Sequence, residues 1–288
     1  MGLAIKVNKA SGTDVYVNGV LQGDSRIDLF DSKLPYSFFD GDVVVFNNEL
    51  HLLGGGSTTT TQKYHHKWNG TTWVSVSTLP INFSGGKAVV YDNAIHILDF
   101  KNHYKWDGTE WSSVSKLPIE ADGSSLVVFN NEIHMLGSNE GSGKFNIHYK
   151  WDGTSWTSVD TIPYDFRYGS AVVYDNAIHI LGNSLNTYNK YHYKWDGTSW
   201  TSVSTLPFSF SNNKAVVYNN KIYIIGGSAN WDYCKASAWD GTEWTSMNCL
   251  IGVIHGSCAV HNNKIYVFNG YCGEQLWEQL DADIIYTK

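Results

Sequence analysis

Histidine is the residue type in this chain best suited to chemistry, either as a metal ligand or as an acid–base group near neutral pH. There are eleven. Eight occupy two recurring positions: His51, His96, His134 and His179 at one, and His65, His103, His148 and His192 at the other. A side chain that recurs at a fixed place in a repeat reads as structural. His255 does not recur and is kept as a functional candidate. Among carboxylates, Asp122, Asp165 and Glu274 could in principle supply an acid and a base for glycoside chemistry. The four cysteines, Cys234, Cys249, Cys258 and Cys272, crowd into the last quarter with no C-x-x-C spacing. They read as buried free thiols, not as a zinc site or a set of bridges. No metal site and no cofactor are expected.

The elements that must position these residues follow from a second pattern. Lys194-Trp195-Asp196-Gly197-Thr198-Ser199-Trp200 recurs nearly verbatim at Trp106–Trp111, Trp151–Trp156 and Trp239–Trp244. It recurs again at Trp68–Trp73, with Asn69 for the aspartate. The first tryptophan moves from 68 to 106, 151, 195 and 239, steps of 38, 45, 44 and 44. Asp-Gly between alternating aromatic and β-branched runs predicts an antiparallel hairpin. Ten of the twelve tryptophans sit in this motif, so they read as core and not as ligand platforms.

Each hairpin is preceded by another strand pair, such as 87–91 and 94–98 around Asp92-Asn93. Six such pairs occur, and five continue into the tryptophan hairpin, giving four strands, a to d, per unit. The sixth has only Asp283-Ile284-Ile285-Tyr286 left. At the other end, 27–35 has the shape of a lone strand d, ending in the Leu-Pro that follows the hairpins. The simplest assembly is a closed ring in which the N-terminal strand completes the last unit. The fold class predicted is all-β: a six-bladed β-propeller over residues 25–288, four strands per blade. Residues 1–24, with a short hairpin turning at Asn18-Gly19, read as a separate β-rich attachment segment.

An apolar strand, then Gly54-Gly55 or Gly226-Gly227, then an aromatic hairpin ending in Leu-Pro, resembles the kelch repeat over residues 26–288. The resemblance implies the kelch-type propeller, a scaffold of interaction modules and a few enzymes, so it does not imply one activity. The double glycine is degenerate in the other copies. Sialidases share the six-bladed architecture but bind their substrate carboxylate with three arginines; this chain has two, Arg26 and Arg167. The radical copper chemistry of one kelch enzyme group would need a Tyr/Cys/His cluster at the axis, and the sequence points to none.

Antiparallel order puts the a–b and c–d turns on one face, and the b–c and d–a loops on the other. The a–b turns are Asn-Asn or Asp-Asn in all six copies, whereas the b–c and d–a loops differ in each. Binding groups favour loops on a rigid scaffold, so the site is placed on the b–c/d–a face. Its candidates are Tyr36, Phe38 and Phe83, then Asp122, Asp165, Arg167 and Tyr168. Tyr188, Phe210, Trp231, Tyr233, His255 and Glu274 complete them. Aromatics among amides suit a glycan or a protein surface.

A net charge of −7 without a Lys/Arg cluster argues against nucleic acid. No apolar run of about 18 residues occurs, so no membrane insertion is expected. The N-terminus has no signal-peptide pattern. Together with the unmatched N-terminal segment and the regular duplication, this reads as a non-enzymatic binding module of a phage or phage-like particle, assembled in the cytoplasm. It would contact a host-surface glycan or protein through the variable face and another structural protein through residues 1–24. The alternatives are an intracellular kelch adaptor and a carbohydrate-active enzyme.

Overall fold

Six two-residue turns decide the strand pairing. At Asn47-Asn48, Asp92-Asn93, Asn130-Asn131, Asp175-Asn176, Asn219-Asn220 and Asn262-Asn263 both residues have φ between 46° and 60°. That is the type I′ geometry whose twist matches a right-handed hairpin, and Asn and Asp are the side chains that best tolerate it. The computed structural model describes residues 16–17, 20–21, 34–36, 38–57, 60–138, 143, 145–182, 190–210, 212–227, 235–248, 256–268 and 283–285.

A short hairpin, β1 (Tyr16–Val17) and β2 (Val20–Leu21), stands alone. The first blade is β3 (Asp42–Phe46), β4 (Glu49–Leu53), β7 (Tyr64–Trp68) and β8 (Trp73–Thr78). Its b–c loop carries a small ribbon, β5 (Gly56–Ser57) with β6 (Thr60–Thr61). The second blade is β9 (Lys87–Tyr91), β10 (Ala94–Asp99), β11 (Asn102–Trp106) and β12 (Trp111–Lys116). The third is β13 (Ser125–Phe129), β14 (Glu132–Leu136), β15 (His148–Trp151) and β16 (Trp156–Ser158). The fourth is β17 (Ser170–Tyr174), β18 (Ala177–Leu181), β19 (Tyr191–Trp195) and β20 (Trp200–Thr205). The fifth is β21 (Lys214–Tyr218), β22 (Lys221–Ile225), β23 (Lys235–Trp239) and β24 (Trp244–Asn248). A last sheet holds β25 (Ser257–His261), β26 (Lys264–Phe268) and β27 (Asp283–Ile285).

The chain is thus an all-β propeller of antiparallel sheets, with no helix among the described residues. The expected count is corrected: five four-stranded blades are found instead of six, and the last sheet has three described strands. The strand assigned to complete it, 26–35, lies outside the described residues except for Leu34 and Pro35. So do most of residues 1–24 and with them the proposed domain boundary. The inner strands β3, β9, β13, β17, β21 and β25 are neighbours in that order, and β25 lies beside β3. Closure is sealed by packing of Ala259, Tyr266 and Phe268 against Val43, Leu50, Leu52 and Trp73. Leu34, 5% exposed, joins that cluster.

The tryptophan hairpins are held at their tips by one side chain each. Asp107 Oδ1 accepts from Thr109 N at 2.8 Å, Thr109 Oγ1 at 2.7 Å and Glu110 N at 2.9 Å. Asp152, Asp196 and Asp240 do the same. Asn69 substitutes for them because only a carbonyl-type oxygen is used. The two tryptophans then face each other across the ladder, with ring centroids 5.5–6.4 Å apart.

The recurring histidines join the blades. His51 Nδ1 meets His65 Nε2 at 2.8 Å, His96 meets His103 at 2.8 Å, His134 meets His148 at 2.8 Å, and His179 meets His192 at 2.7 Å. The strand-c member of each pair wedges edge-on into the next blade's tryptophan pair. His65 lies 5.2 and 5.6 Å from Trp106 and Trp111, and His192 lies 5.1 and 5.4 Å from Trp239 and Trp244. Burial, the largest cause, lowers the strand-b members to about 4 and the strand-c members to about 3. They are neutral packing groups. Among the described residues no three side chains of metal-ligand type converge.

Candidate functional site

The site is built by the ends of the d–a loops, where each blade enters its inner strand. A buried anchor comes first: Phe38, Phe83, Phe166 or Phe210, each at most 1% exposed. Its backbone carbonyl takes the space that a side chain on the glycine ending strand b would fill. A Cβ on Gly137, whose φ is +72°, would land on the Phe166 carbonyl oxygen. Gly54 and Gly182 relate to Phe83 and Phe210 in the same way. In the second blade Asp99 stands at the glycine's place and the smaller Ala121 at the anchor's.

Two residues after the anchor the backbone turns left-handed at Asp40, Gly85, Gly123, Tyr168 and Asn212. These residues chain together around the axis. Gly85 N donates to Asp40 O at 2.8 Å, Tyr168 N to Gly123 O at 2.8 Å, and Asn212 N to Tyr168 O at 2.7 Å. Four of the five are Gly, Asp or Asn, which accept this conformation readily. Tyr168, with φ at 57°, is a bulky residue holding backbone strain on the order of 1–2 kcal/mol. Strain of this kind collects at functional sites.

The loop ends surround a cavity of about 270 Å³ at the axis, on the d–a face. Asp40, Lys87, Asp122, Tyr168, Asn213 and Lys214 are among its lining residues. Tyr168 Oη donates to Asp122 Oδ2 at 3.3 Å. Lys87 Nζ donates to Gly85 O at 3.3 Å and Gly86 O at 3.5 Å. Its pKa is lowered to about 8, first by burial and then by Lys214, against the pull of Asp42, Asp40 and Asp122. Asp99, next to this site, is raised to about 6 by burial and then by Asp122. The arrangement can bind a small polar ligand with both positive and negative groups.

Of the residues predicted from sequence, Asp122 and Tyr168 line this cavity. Phe38, Phe83 and Phe210 do not act as platforms: they are fully buried anchors, because the loop needs an apolar plug beneath it. Tyr36 packs against Tyr64 and His66, with its phenol pushed well above its ordinary range by burial and then by Tyr64. Asp165 is exposed and outside the cavity. Arg167 is not among the lining residues; its Cζ is 4.1 Å from the Phe145 ring centroid. Tyr188, Trp231, Tyr233, His255 and Glu274 lie outside the described residues. Of the cysteines, Cys258 is described. It is a free thiol raised to about 12 by burial, so it is unreactive near neutrality.

Sequence reasoning missed Asp40, Lys87, Asn213 and Lys214. The signal was present in the first residue of strand a, which reads Asp42, Lys87, Ser125, Ser170, Lys214 and Ser257 around the ring. Asp42 accepts from Ala88 N at 2.8 Å, and Ser125 accepts from Ala171 N at 2.9 Å. Ser170 donates to Asn213 O at 2.9 Å, and Ser257 to Asp42 Oδ1 at 2.8 Å. This position stitches one blade to the next, and the two lysines depart from it.

No family model matches the chain, and no curated protein matches it. Among solved structures the chain is similar to the one titled "Structure of YjhT", at 12% identity and a TM-score of 0.73, covering 87% of this chain and 94% of that one. At that identity the likeness supports the β-propeller fold and nothing finer.

Proposed function

We propose that this propeller is a non-enzymatic binding module that recognises a glycan or protein through its d–a face, with the axial cavity at the centre. The observation that carries the reading is the contrast between the faces. One face presents near-identical two-residue and Asx-type turns. The other presents loops that differ from blade to blade around a polar cavity, with a strained tyrosine at its edge. Rigid scaffold plus individual loops is how binding surfaces are commonly built. The regular internal duplication and the unmatched N-terminal segment support a phage or phage-like carrier and a host-envelope target, with residues 1–24 as the attachment to a larger assembly.

The test is retention of the protein on arrays of envelope glycans and envelope proteins, comparing wild type with Tyr168→Gly. Glycine relieves the backbone strain, so the variant keeps or gains stability. It removes the ring from the cavity edge, so retention should fall by about tenfold or more, about 1.4 kcal/mol. Undiminished retention would place the site elsewhere. Conversion of an arrayed glycan would favour the carbohydrate-active alternative.

A further inference from the structure

Lys87 and Lys214 are exceptions to a structural rule of this molecule. At the start of strand a, the aspartate or serine of the other four blades bonds to a neighbouring blade. An ammonium group cannot accept a backbone N–H, so a lysine there gives up the accepting bonds that Asp42 and Ser125 make. The substitution occurs twice, and both lysines line the same axial cavity. Burial and the proximity of Lys214 both disfavour charge on Lys87. Two cations held together in a partly enclosed space stabilise an anion placed between them.

Next to Lys214, Asn213 is 2% exposed, and its amide is closed off from the cavity, lying against Gly182. In other blades this place is held by Gly41, Gly86, Gly169 and Gly256 or by Ser124. The remaining lining groups limit the ligand's charge. Asp40 and Asp122 contribute two carboxylates that repel a dianion and accept hydrogen bonds from hydroxyls. The cavity, about 270 Å³ and partly open, has room for a small molecule.

We infer that the axial cavity is a binding site for a small hydroxylated carboxylic acid, its carboxylate held between Lys87 and Lys214 and its hydroxyls by Asp40 and Asp122. The inference deepens the proposed binding function and rests on the d–a face being the binding face. The groups facing Lys87 are Lys214, Asp42, Asp40 and Asp122. A carboxylate added to this set raises the amine's proton affinity, so binding above pH 8 takes up a proton.

The experiment is isothermal titration of the full chain with D-glucuronate, inorganic phosphate and the neutral methyl glucoside, in two buffers of different ionisation enthalpy at pH 8.5. Lys87→Ser and Lys214→Ser install the residue that three other blades carry at this position, so both variants should fold, as checked by the melting temperature. Glucuronate should bind to wild type with proton uptake, weaken by about tenfold or more in each serine variant, and bind more tightly than phosphate or the glucoside. Absence of glucuronate binding to wild type overturns the inference, as does binding unchanged in both folded variants. Equal or tighter binding of phosphate overturns the assigned class. If the array ligand of the proposed function is retained equally by wild type and the serine variants, the binding face stands and the acid site falls.

Discussion

Acidification should unfold this protein in a narrow window between about pH 6 and pH 5, because eight histidines are buried neutral. Each has an ordinary pKa of 6.5 and is lowered to about 3 or 4 in the fold. Below pH 6.5 the unfolded chain binds protons that the folded chain refuses, so stability is full above 6.5 and falls as pH drops towards 4. For one such site the loss from pH 7 to pH 5.5 is about 1.2 kcal/mol, since each pH unit below 6.5 costs about 1.4 kcal/mol and the onset is gradual. Eight sites lose about 10 kcal/mol together, comparable to the whole stability of a typical domain, about 5–15 kcal/mol. Asp99, raised to about 6, works in the opposite direction. As one carboxyl it returns less than about 1 kcal/mol over the same range. Both members of each pair are neutral above pH 5, so their mutual coupling does not alter the window.

The assay is urea unfolding followed by tryptophan fluorescence at closely spaced pH values from 8 to 5. The logarithm of the unfolding constant should rise with a limiting slope of about seven protons near pH 5.5. A paired change, His134→Tyr with His148→Ala, uses the residues the fifth blade carries at the same positions, Tyr223 and Ala236. It removes two of the titrating groups and should lower the slope by about two. Stability independent of pH between 7 and 5.5, or uptake of fewer than about three protons, would refute the reasoning.

Two further outcomes concern the ring. Gly137→Ala forces an L side chain into a φ of +72° and onto the Phe166 carbonyl, so chemical denaturation should show a loss above about 2 kcal/mol. Full stability in that variant would mean the loop relaxes freely. Deleting residues 1–36 removes Leu34 from the cluster at the closure, along with the strand expected to complete the last sheet. That truncation should be insoluble or should lose its cooperative melt, while deletion of residues 1–24 alone should leave the melting temperature nearly unchanged.

Much of the architecture was legible because its causes are local. The Asn-Asn turns dictate a left-handed pair of residues, and the Asp-Gly-Thr tips close on themselves through one side chain. Their recurrence around the chain announces a ring of repeated sheets. The eight histidines read as structural for the same reason: a residue that must fill the same gap between blades appears in four successive copies. The number of complete four-stranded blades was overestimated, since a lone strand pattern at 27–35 does not by itself show where that strand lies.

The site was legible only as a face. Phe38, Phe83 and Phe210 looked like exposed aromatics because sequence does not report that the loop folds back over them; the rings of Phe38 and Phe83 fill the space left by Gly41 and Gly86. Lys87 and Lys214 are far apart in sequence and become neighbours when the ring closes around its axis. Periodicity reports what each blade does for its neighbour. Which side chains meet at the centre depends on the closed tertiary arrangement, and there the residues that break the repeat gather around one cavity.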